Sequence, residues 1–216
     1  MSRTDAEILW EVACGLARTA AGVSRRPGAA PALPPLLFFT DPARTPRPWE
    51  TAARLPAGAG VVFRHFGAPD AHAVARRLRE TTTAAGVRLL IGLDAGLAAE
   101  VGADGVHLPE HALGQAEALA AAHPDWLVTG AAHGADGVAR ATGLDAMVLS
   151  PVFPAGGASA VRPALGPAGF KALAAAAARP VYALGGISAR NAAGLIGCGA
   201  CGLAGVEAIQ AAFGTP

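Results

Sequence analysis

The sequence predicts a closed (β/α)8 barrel that is preceded by one extra helix. Eight short apolar runs alternate with segments of helical character along the 216 residues. Continuous apolar runs of this kind are typical of parallel strands that are covered on both faces. Eight strand–helix units favour a closed barrel over the alternative, an open doubly wound sheet.

The segment 1–35 is predicted to be an N-terminal helix and a linker outside the barrel. Apolar residues recur at helical spacing over residues 5–21, and residues 25–35 are rich in Pro, Ala and Gly. The barrel domain is therefore expected to comprise residues 36–216.

Within that domain, strands are predicted from apolar runs that repeat every 20 to 30 residues or so. These runs comprise residues 36–40, 60–64, 87–91, 105–108, 126–129, 146–150, 180–184 and 201–204. The helices expected between and after them comprise residues 49–55, 71–85, 95–101, 113–122, 137–142, 167–178, 189–196 and 206–212. Similar turns, GADG at 102–105 and GACG at 199–202, precede two of the strands and support the count.

The composition excludes several classes of protein. A net charge of +1 with 15% charged residues gives no sign of a nucleic-acid partner. No apolar run reaches the roughly 18 residues of a membrane span, and the acidic N-terminus does not resemble a secretory signal. Three cysteines argue against a disulfide framework, and Cys198 and Cys201 are interpreted as packing residues. We expect a soluble cytoplasmic protein without nucleic-acid or membrane partners, with a homo-oligomer as an open alternative.

A glycine pair follows the predicted seventh strand, at Gly185 and Gly186. Glycine lets a ligand approach the main chain closely, and bare N–H groups can hold a phosphate. In (β/α)8 barrels, phosphate sites often lie in the loops after strands seven and eight, which adds Gly205 and Val206 as candidates. The alternative is that the glycine pair only makes a tight turn.

Two polar residues at strand ends are candidates for substrate binding, because such ends face the active site of a barrel. Ser150 closes the sixth strand, and Arg64 closes the second. The guanidinium of Arg64 could clamp a phosphate or carboxylate. An ion pair with Asp41 or Glu110 is the alternative.

Two histidines are candidates for proton transfer. His133 lies just past the fifth strand among small residues, where an imidazole could move a proton at neutral pH. His107 alternates with apolar neighbours, so it either faces the barrel interior as a site residue or is a core histidine. No metal site is predicted, because His107, Glu110 and His111 lie close together but no further strand clearly supplies a ligand.

Several motifs follow one another in a specific order. Residues 102–108 read GADGVHL, residues 150–154 read SPVFP, and residues 184–187 read LGGI with Asn191 shortly after. Together they resemble the motifs of the thiamine phosphate synthase family, which includes the thiazole tautomerase TenI. The resemblance implies a (β/α)8 barrel of thiamine biosynthesis that binds a thiazole phosphate, or a related phosphate ligand, at its mouth.

The sequence also departs from the synthase pattern. The synthase releases pyrophosphate with the help of magnesium, and its strand-two Q-x-R-x-K appears here as residues 62–66, in which only Arg64 survives. The Asn-Asp pair of the family falls on Gly92 and Leu93, and a serine before the last helix becomes Glu207. Release of pyrophosphate requires cations that balance the developing negative charge.

These losses favour a TenI-like tautomerase, because tautomerisation requires only a bound substrate and one or two proton-transfer groups. His133 falls on the histidine that the tautomerase would use. No cofactor is then expected. The alternatives are a thiamine-phosphate synthase, which would need magnesium, and a non-catalytic barrel that binds a phosphate ligand.

Overall fold

The computed structural model describes residues 3–20, 32–157 and 160–214, which form a closed barrel of eight parallel strands. Each strand pairs with its neighbours in sequence order, and the last strand closes on the first, with Leu36 opposite Leu203. The predicted (β/α)8 barrel with an additional N-terminal helix is confirmed. Residues 25–31 of the predicted linker lie outside the described residues.

The strands are short and are separated by helices of variable length. The strands are β1 (Leu36–Phe39), β2 (Gly60–Phe63), β3 (Arg88–Gly92), β4 (Gly105–Leu108), β5 (Leu127–Ala132), β6 (Ala146–Leu149), β7 (Val181–Leu184) and β8 (Ala200–Gly205). The helices are α1 (Asp5–Thr19), α2 (Pro48–Ala52), α3 (Ala71–Ala85), α4 (Ala95–Val101), α5 (Ala116–Ala122), α6 (Ala135–Ala139), α7 (Gly166–Ala176) and α8 (Glu207–Phe213). Among the described residues, 3-10 helices cover Glu110–Gln115 and Ala192–Leu195.

The core has two layers because alternate residues of each strand face opposite sides of the barrel wall. Phe39 and Tyr182 belong to the cluster inside the barrel, whereas Phe38 and Phe63 pack between the strands and the helices. The hydroxyl of Tyr182 donates a hydrogen bond of 2.6 Å to the carbonyl of Pro34, just before β1. The barrel interior is thus filled by side chains, and a ligand would bind at the mouth.

Helix α1 is part of the core. Its N-terminus carries a capping box, in which Thr4 and Glu7 satisfy each other's backbone N–H groups. Leu9, Ala13 and Leu16 are buried, and the helix packs mainly against β8. It covers a face of β8 next to the connection from β7, which contains only a short 3-10 helix.

The helix expected over 189–196 is the clearest error of the sequence-based prediction. The side-chain oxygen of Asn191 accepts a hydrogen bond of 2.8 Å from Ser188 N, and its amide donates one of 2.8 Å to the Gly186 carbonyl. These bonds fix a compact loop, so that only Ala192–Leu195 forms a 3-10 turn. Among the described residues, no helix is long and apolar enough to cross a membrane.

Candidate functional site

A cleft opens at the C-terminal mouth of the barrel, with a volume of about 370 Å³. We call it the mouth cleft, and it is lined by Asp41, Arg44, Arg64, Pro154, Ala155, Gly156, Leu184, Gly185, Gly186, Ile187, Ser188, Gly205, Val206, Glu207 and Ala208. It brings together five of the predicted binding residues: Arg64 after β2, Gly185 and Gly186 after β7, and Gly205 and Val206 at the end of β8. Ser150, His107 and His133 do not line it.

The glycine pair after β7 packs tightly against the loop after β6. Gly185 and Gly186 have φ angles of +103° and +63°. A Cβ at Gly186 would lie 2.4 Å from the carbonyl oxygen of Pro154, and one at Gly185 would lie 2.7 Å from the Cα of Pro151. Both the left-handed backbone and the close approach therefore require glycine at these positions. The turn is tight, and it also leaves main chain at the cleft surface.

Arg64 is the most unusual residue of the cleft. Its Nε donates a hydrogen bond of 3.0 Å to the carbonyl of Thr40, and its guanidinium carbon lies 5.1 Å from the centroid of the Phe39 ring. Its Nη2 is buried without a hydrogen-bond partner among the described residues. Burial is the main reason that its pKa falls to about 10, so the group is still charged at neutral pH. An unpaired buried donor destabilises a protein by about 1–3 kcal/mol.

The ion pairs proposed as an alternative for Arg64 involve other residues in the structure. Asp41 pairs with Arg44, at 2.8 Å from Oδ2 to Nη2, and Glu110 pairs with Arg140, at 3.0 Å. Burial alone would raise the pKa of Asp41, but hydrogen bonds from Arg44 outweigh it and leave the pKa below its ordinary value. Among the described residues that line the cleft, Arg64 is thus the cation without a carboxylate within ion-pairing distance.

Glu207 lies at the rim of the cleft, where its charge would oppose an anion. Its Oε2 lies 3.4 Å from Nη1 of Arg44, and its side chain is 63% exposed. Arg44 therefore bridges Asp41 and Glu207 and offsets part of their negative charge. Arg44 is not among the site residues predicted from the sequence, and its position three residues after Asp41 is the signal that could have found it.

His133 and Ser150 form a cluster beside the mouth cleft. Nδ1 of His133 donates a hydrogen bond of 2.8 Å to the Ser150 carbonyl, and it lies 3.2 Å from the Ser150 hydroxyl. A neutral imidazole that donates from Nδ1 has an unprotonated Nε2. That Nε2 lies 3.9 Å from Oε2 of Glu110, beyond hydrogen-bonding distance. The next residue, Pro151, contacts the turn at Gly185 and so connects the cluster to the cleft.

His107 lies deeper, inside the barrel. It is 5% exposed, its Nδ1 lies 3.0 Å from the hydroxyl of Thr129, and its ring meets that of Phe39 edge-on at 5.0 Å. Burial, and then the charge of Arg64, lower its pKa to about 3. The imidazole is therefore neutral at physiological pH. Its burial gives no support to the catalytic role predicted for it, which stays a prediction.

The residues after β2 and β3 do not fit the magnesium and pyrophosphate site that the synthase motifs imply. Gly92 and Leu93 supply no side-chain oxygen, whereas magnesium requires oxygen ligands. Asp94 caps α4, with Oδ1 accepting a hydrogen bond of 2.8 Å from Leu97 N. Over the parts of the chain that the structure describes, no group of three His, Cys, Asp or Glu residues is arranged to hold a metal ion.

Comparisons with known proteins agree with this architecture. The sequence model of the thiamine monophosphate synthase family matches residues 42–209. A thiamine-phosphate synthase of Methanoculleus marisnigri is 37% identical over 65% of this chain and 67% of its own. A putative thiamine-phosphate synthase of Geobacter sulfurreducens is 36% identical over 64% of this chain and 66% of its own.

A solved structure shows the same fold. The thiamine phosphate pyrophosphorylase of Pyrococcus furiosus superposes with a TM-score of 0.69 at 22% identity, covering 82% of this chain and 91% of that one. The family match extends over most of the barrel, from the residue after Asp41 to Ile209 in α8. The chain belongs to the thiamine monophosphate synthase/TenI family of thiamine biosynthesis.

Proposed function

We propose that this chain binds a thiazole phosphate in the mouth cleft and catalyses its tautomerisation, as TenI does. The observation that carries the proposal is which family residues the chain keeps and which it has lost. Arg64, the glycine turn and His133 are present, whereas Phe66, Gly92 and Leu93 stand where the synthase pattern has charged or polar residues. The residues that are present would serve phosphate binding and proton transfer, and the charged or polar residues that are missing are the ones that pyrophosphate release would need.

Phosphate binding is supported by the charge and the hydrogen-bonding state of Arg64. Its Nη2 has no partner among the described residues, and the residue lines the same cleft as Gly185 and Gly186. A phosphate between the guanidinium and the main chain of the turn would accept hydrogen bonds from both. Arg44, which is held by Asp41 and Glu207, limits the repulsion that Glu207 would exert on it.

Proton transfer is assigned to His133. A tautomerisation removes a proton from one atom of the substrate and adds one to another, so that the composition does not change. The carbonyl of Ser150 holds the proton on Nδ1, which leaves Nε2 to accept the proton and then return it. With the phosphate at Gly186, the ring would extend towards β5 and β6, where His133 lies.

Thiamine-phosphate synthase is the second candidate, and the names of the relatives favour it. Two relatives at 37% and 36% identity are named as a synthase and a putative synthase. The apolar residues at positions 66 and 93 oppose it, because no cation or oxygen ligand stands there to balance the charge of a departing pyrophosphate.

One experiment with purified protein separates these functions. A thiazole phosphate tautomer is incubated with the protein, and its isomerisation is followed by proton NMR. In parallel, pyrophosphate release is measured from the pyrimidine pyrophosphate and the thiazole phosphate with magnesium. We expect isomerisation without pyrophosphate release; the reverse outcome would identify a synthase. Tight binding of the thiazole phosphate with neither reaction would identify a non-catalytic binder.

A further inference from the structure

A second cavity, of about 270 Å³, lies outside the barrel wall. We call it the outer cavity. Its walls are the C-terminal ends of β2 and β3 and the first turns of α3 and α4, with Phe63, Ala71 and Leu97 among its lining residues. Phe63 belongs to the layer between strands and helices, and no described residue lines both this cavity and the mouth cleft. The outer cavity is therefore a separate candidate site.

The outer cavity is lined mainly by aromatic and aliphatic groups. The rings of Phe63 and His65 stack with centroids 4.4 Å apart, and Phe66 stands at the cavity with 58% of its surface exposed. Among the described lining residues there is no Lys or Arg, and the single carboxylate is that of Asp94. The carboxylate of Asp94 would repel an anion, whereas an aromatic ring would find faces and edges to pack on.

One polar group in the lining lacks a partner. His65 is 7% exposed, and its Nδ1 is buried without a hydrogen bond to any described residue. Burial lowers the pKa of this imidazole, which is therefore neutral at physiological pH. Buried polar atoms in folded proteins are almost always hydrogen-bonded, so an unpaired one beside a cavity calls for a partner that is not part of the chain, either a water molecule or a ligand.

We propose that the outer cavity binds an uncharged, single-ring aromatic molecule that carries one hydrogen-bonding group. The size agrees, because an apolar cavity of about 150 Å³ in another protein accepts benzene. A cavity of about 270 Å³ therefore accommodates one ring with small substituents. The ring packs between Phe63 and Phe66, and its polar group pairs with His65.

The test uses para-fluorophenol as a probe with the full chain, titrated by fluorine NMR. Para-fluorotoluene lacks the hydroxyl, and para-fluorobenzoate adds a negative charge to the same ring. We expect saturable binding of the phenol and dissociation constants at least about tenfold weaker for the other two, the change that corresponds to about 1.4 kcal/mol. A saturating thiazole phosphate should leave the affinity for the phenol unchanged, because it binds in the mouth cleft.

Variants locate the binding. Phe66→Ala should weaken binding of the phenol at least about tenfold, whereas Ile196→Ala, which truncates another exposed apolar side chain, should not change it. His65→Phe keeps the ring and should abolish the preference for the phenol over the toluene. The proposal is overturned if no probe binds saturably, if the benzoate binds as tightly as the phenol, or if both Phe66→Ala and His65→Phe bind as the unmodified chain does. It does not depend on the outcome of the tautomerase assay.

Discussion

The ring of Phe66 lies where a side chain at position 92 would stand. A Cβ built on Gly92 would be 2.9 Å from Cε1 of Phe66 and 2.9 Å from the carbonyl oxygen of Phe63. In the synthase pattern, position 66 would carry a lysine and position 92 an asparagine. The two substitutions are therefore linked sterically, because the phenylalanine occupies space that only a glycine leaves open.

This relationship predicts the effect of restoring the asparagine. Gly92→Asn should destabilise the protein by about 1–3 kcal/mol, because the new side chain overlaps the Phe66 ring and the Phe63 carbonyl. Phe66→Ala in the same chain should recover part of that loss, and the remainder reflects the backbone contact. Urea denaturation of the two single variants and the double variant measures the coupling.

The control for this double-mutant cycle is Gly114→Asn, because a Cβ added at Gly114 would meet nothing within 4 Å. It should change the free energy of unfolding much less than Gly92→Asn does. Strict additivity of Gly92→Asn and Phe66→Ala would show that the two side chains do not compete for space.

Replacing Arg64 should have opposite effects on the affinity for a phosphate ligand and on the stability of the fold. Arg64→Met removes a buried cation with an unpaired Nη2, so the free energy of unfolding should stay the same or rise by about 1 kcal/mol. Affinity for a thiazole phosphate should fall at least about tenfold, since the cation of the site is lost. Thermal unfolding and isothermal titration calorimetry measure the two effects.

Arg79→Met is the matched control, because Arg79 is paired with Asp104 at 2.8 Å and does not line the mouth cleft. It should lower stability and leave phosphate affinity unchanged. A large loss of stability in Arg64→Met, with binding retained, would mean that Arg64 is a structural residue.

Much of the fold was predictable from the sequence, because buried parallel strands are continuous apolar runs. The boundaries were less predictable where small residues extend a strand. The apolar run predicts a fifth strand that ends at Thr129, whereas β5 continues through Gly130 and two alanines to Ala132. Those residues have little apolar surface, and the pairing with β6 keeps them in the sheet.

Features of the site were predictable where they depend on the chemistry of a single residue type. They were not predictable where they depend on a contact between residues that are distant in the sequence. The left-handed turn at Gly185 and Gly186 follows from glycine chemistry alone. The hydrogen bonds of Asn191, which replace the expected helix, depend on the loop conformation that they stabilise. The contact between Phe66 and Gly92 depends on how the chain turns after β2, which no local pattern encodes.

A side chain at position 186 should destabilise the protein, because the turn lies close to the loop after β6. Gly186→Ala introduces a Cβ at φ +63° and at 2.4 Å from the Pro154 carbonyl oxygen. The backbone strain alone is of order 1 kcal/mol, and the overlap should add at least as much. Gly102→Ala is the control, since Gly102 has φ +65° and its Cβ would meet nothing within 4 Å.

The difference in unfolding free energy between these two alanine variants isolates the contact between the turn and the loop after β6. Gly186→Ala should also weaken binding of the thiazole phosphate, whereas Gly102→Ala should not. Equal destabilisation by both variants would show that the turn can move away from Pro154 without loss.

The lowered pKa of His107 determines how it contributes to the dependence of stability on pH. Its pKa falls from an ordinary value of 6.5 to about 3 in the folded protein, chiefly through burial. Below pH 6.5 the unfolded chain binds a proton that the folded chain does not, so stability is full above that pH and falls as the pH drops towards 3. Burial lowers the pKa of His65 as well, which adds a contribution of the same sign.

Urea denaturation at pH values from about 7.5 to about 4.5 measures how the free energy of unfolding depends on pH, in the unmodified chain and in His107→Gln. The glutamine variant should start from a lower stability, because it alters a packed core position, and should lose less stability on acidification. An identical slope in both chains would mean that His107 does not account for the acid sensitivity.

His133 provides the test of catalysis. His133→Ala should lower the rate of tautomerisation by about 10²–10⁴-fold, the range for a general acid–base group. The dissociation constant of the thiazole phosphate should change little, because the phosphate contacts are assigned to Arg64 and the glycine turn. Single-turnover kinetics and calorimetry on the same preparation measure the two quantities.

His107→Gln is the matched control for this experiment, because His107 is a second histidine of the barrel that is 5% exposed and whose pKa of about 3 makes it a weak base. It should retain most of the turnover at neutral pH, where the protein is stable. If His133→Ala turns over as fast as the unmodified chain, then His133 is not the proton-transfer group. Its hydrogen bond to the Ser150 carbonyl would then serve only to fix the loop after β6, next to Pro151 and the Gly185 turn.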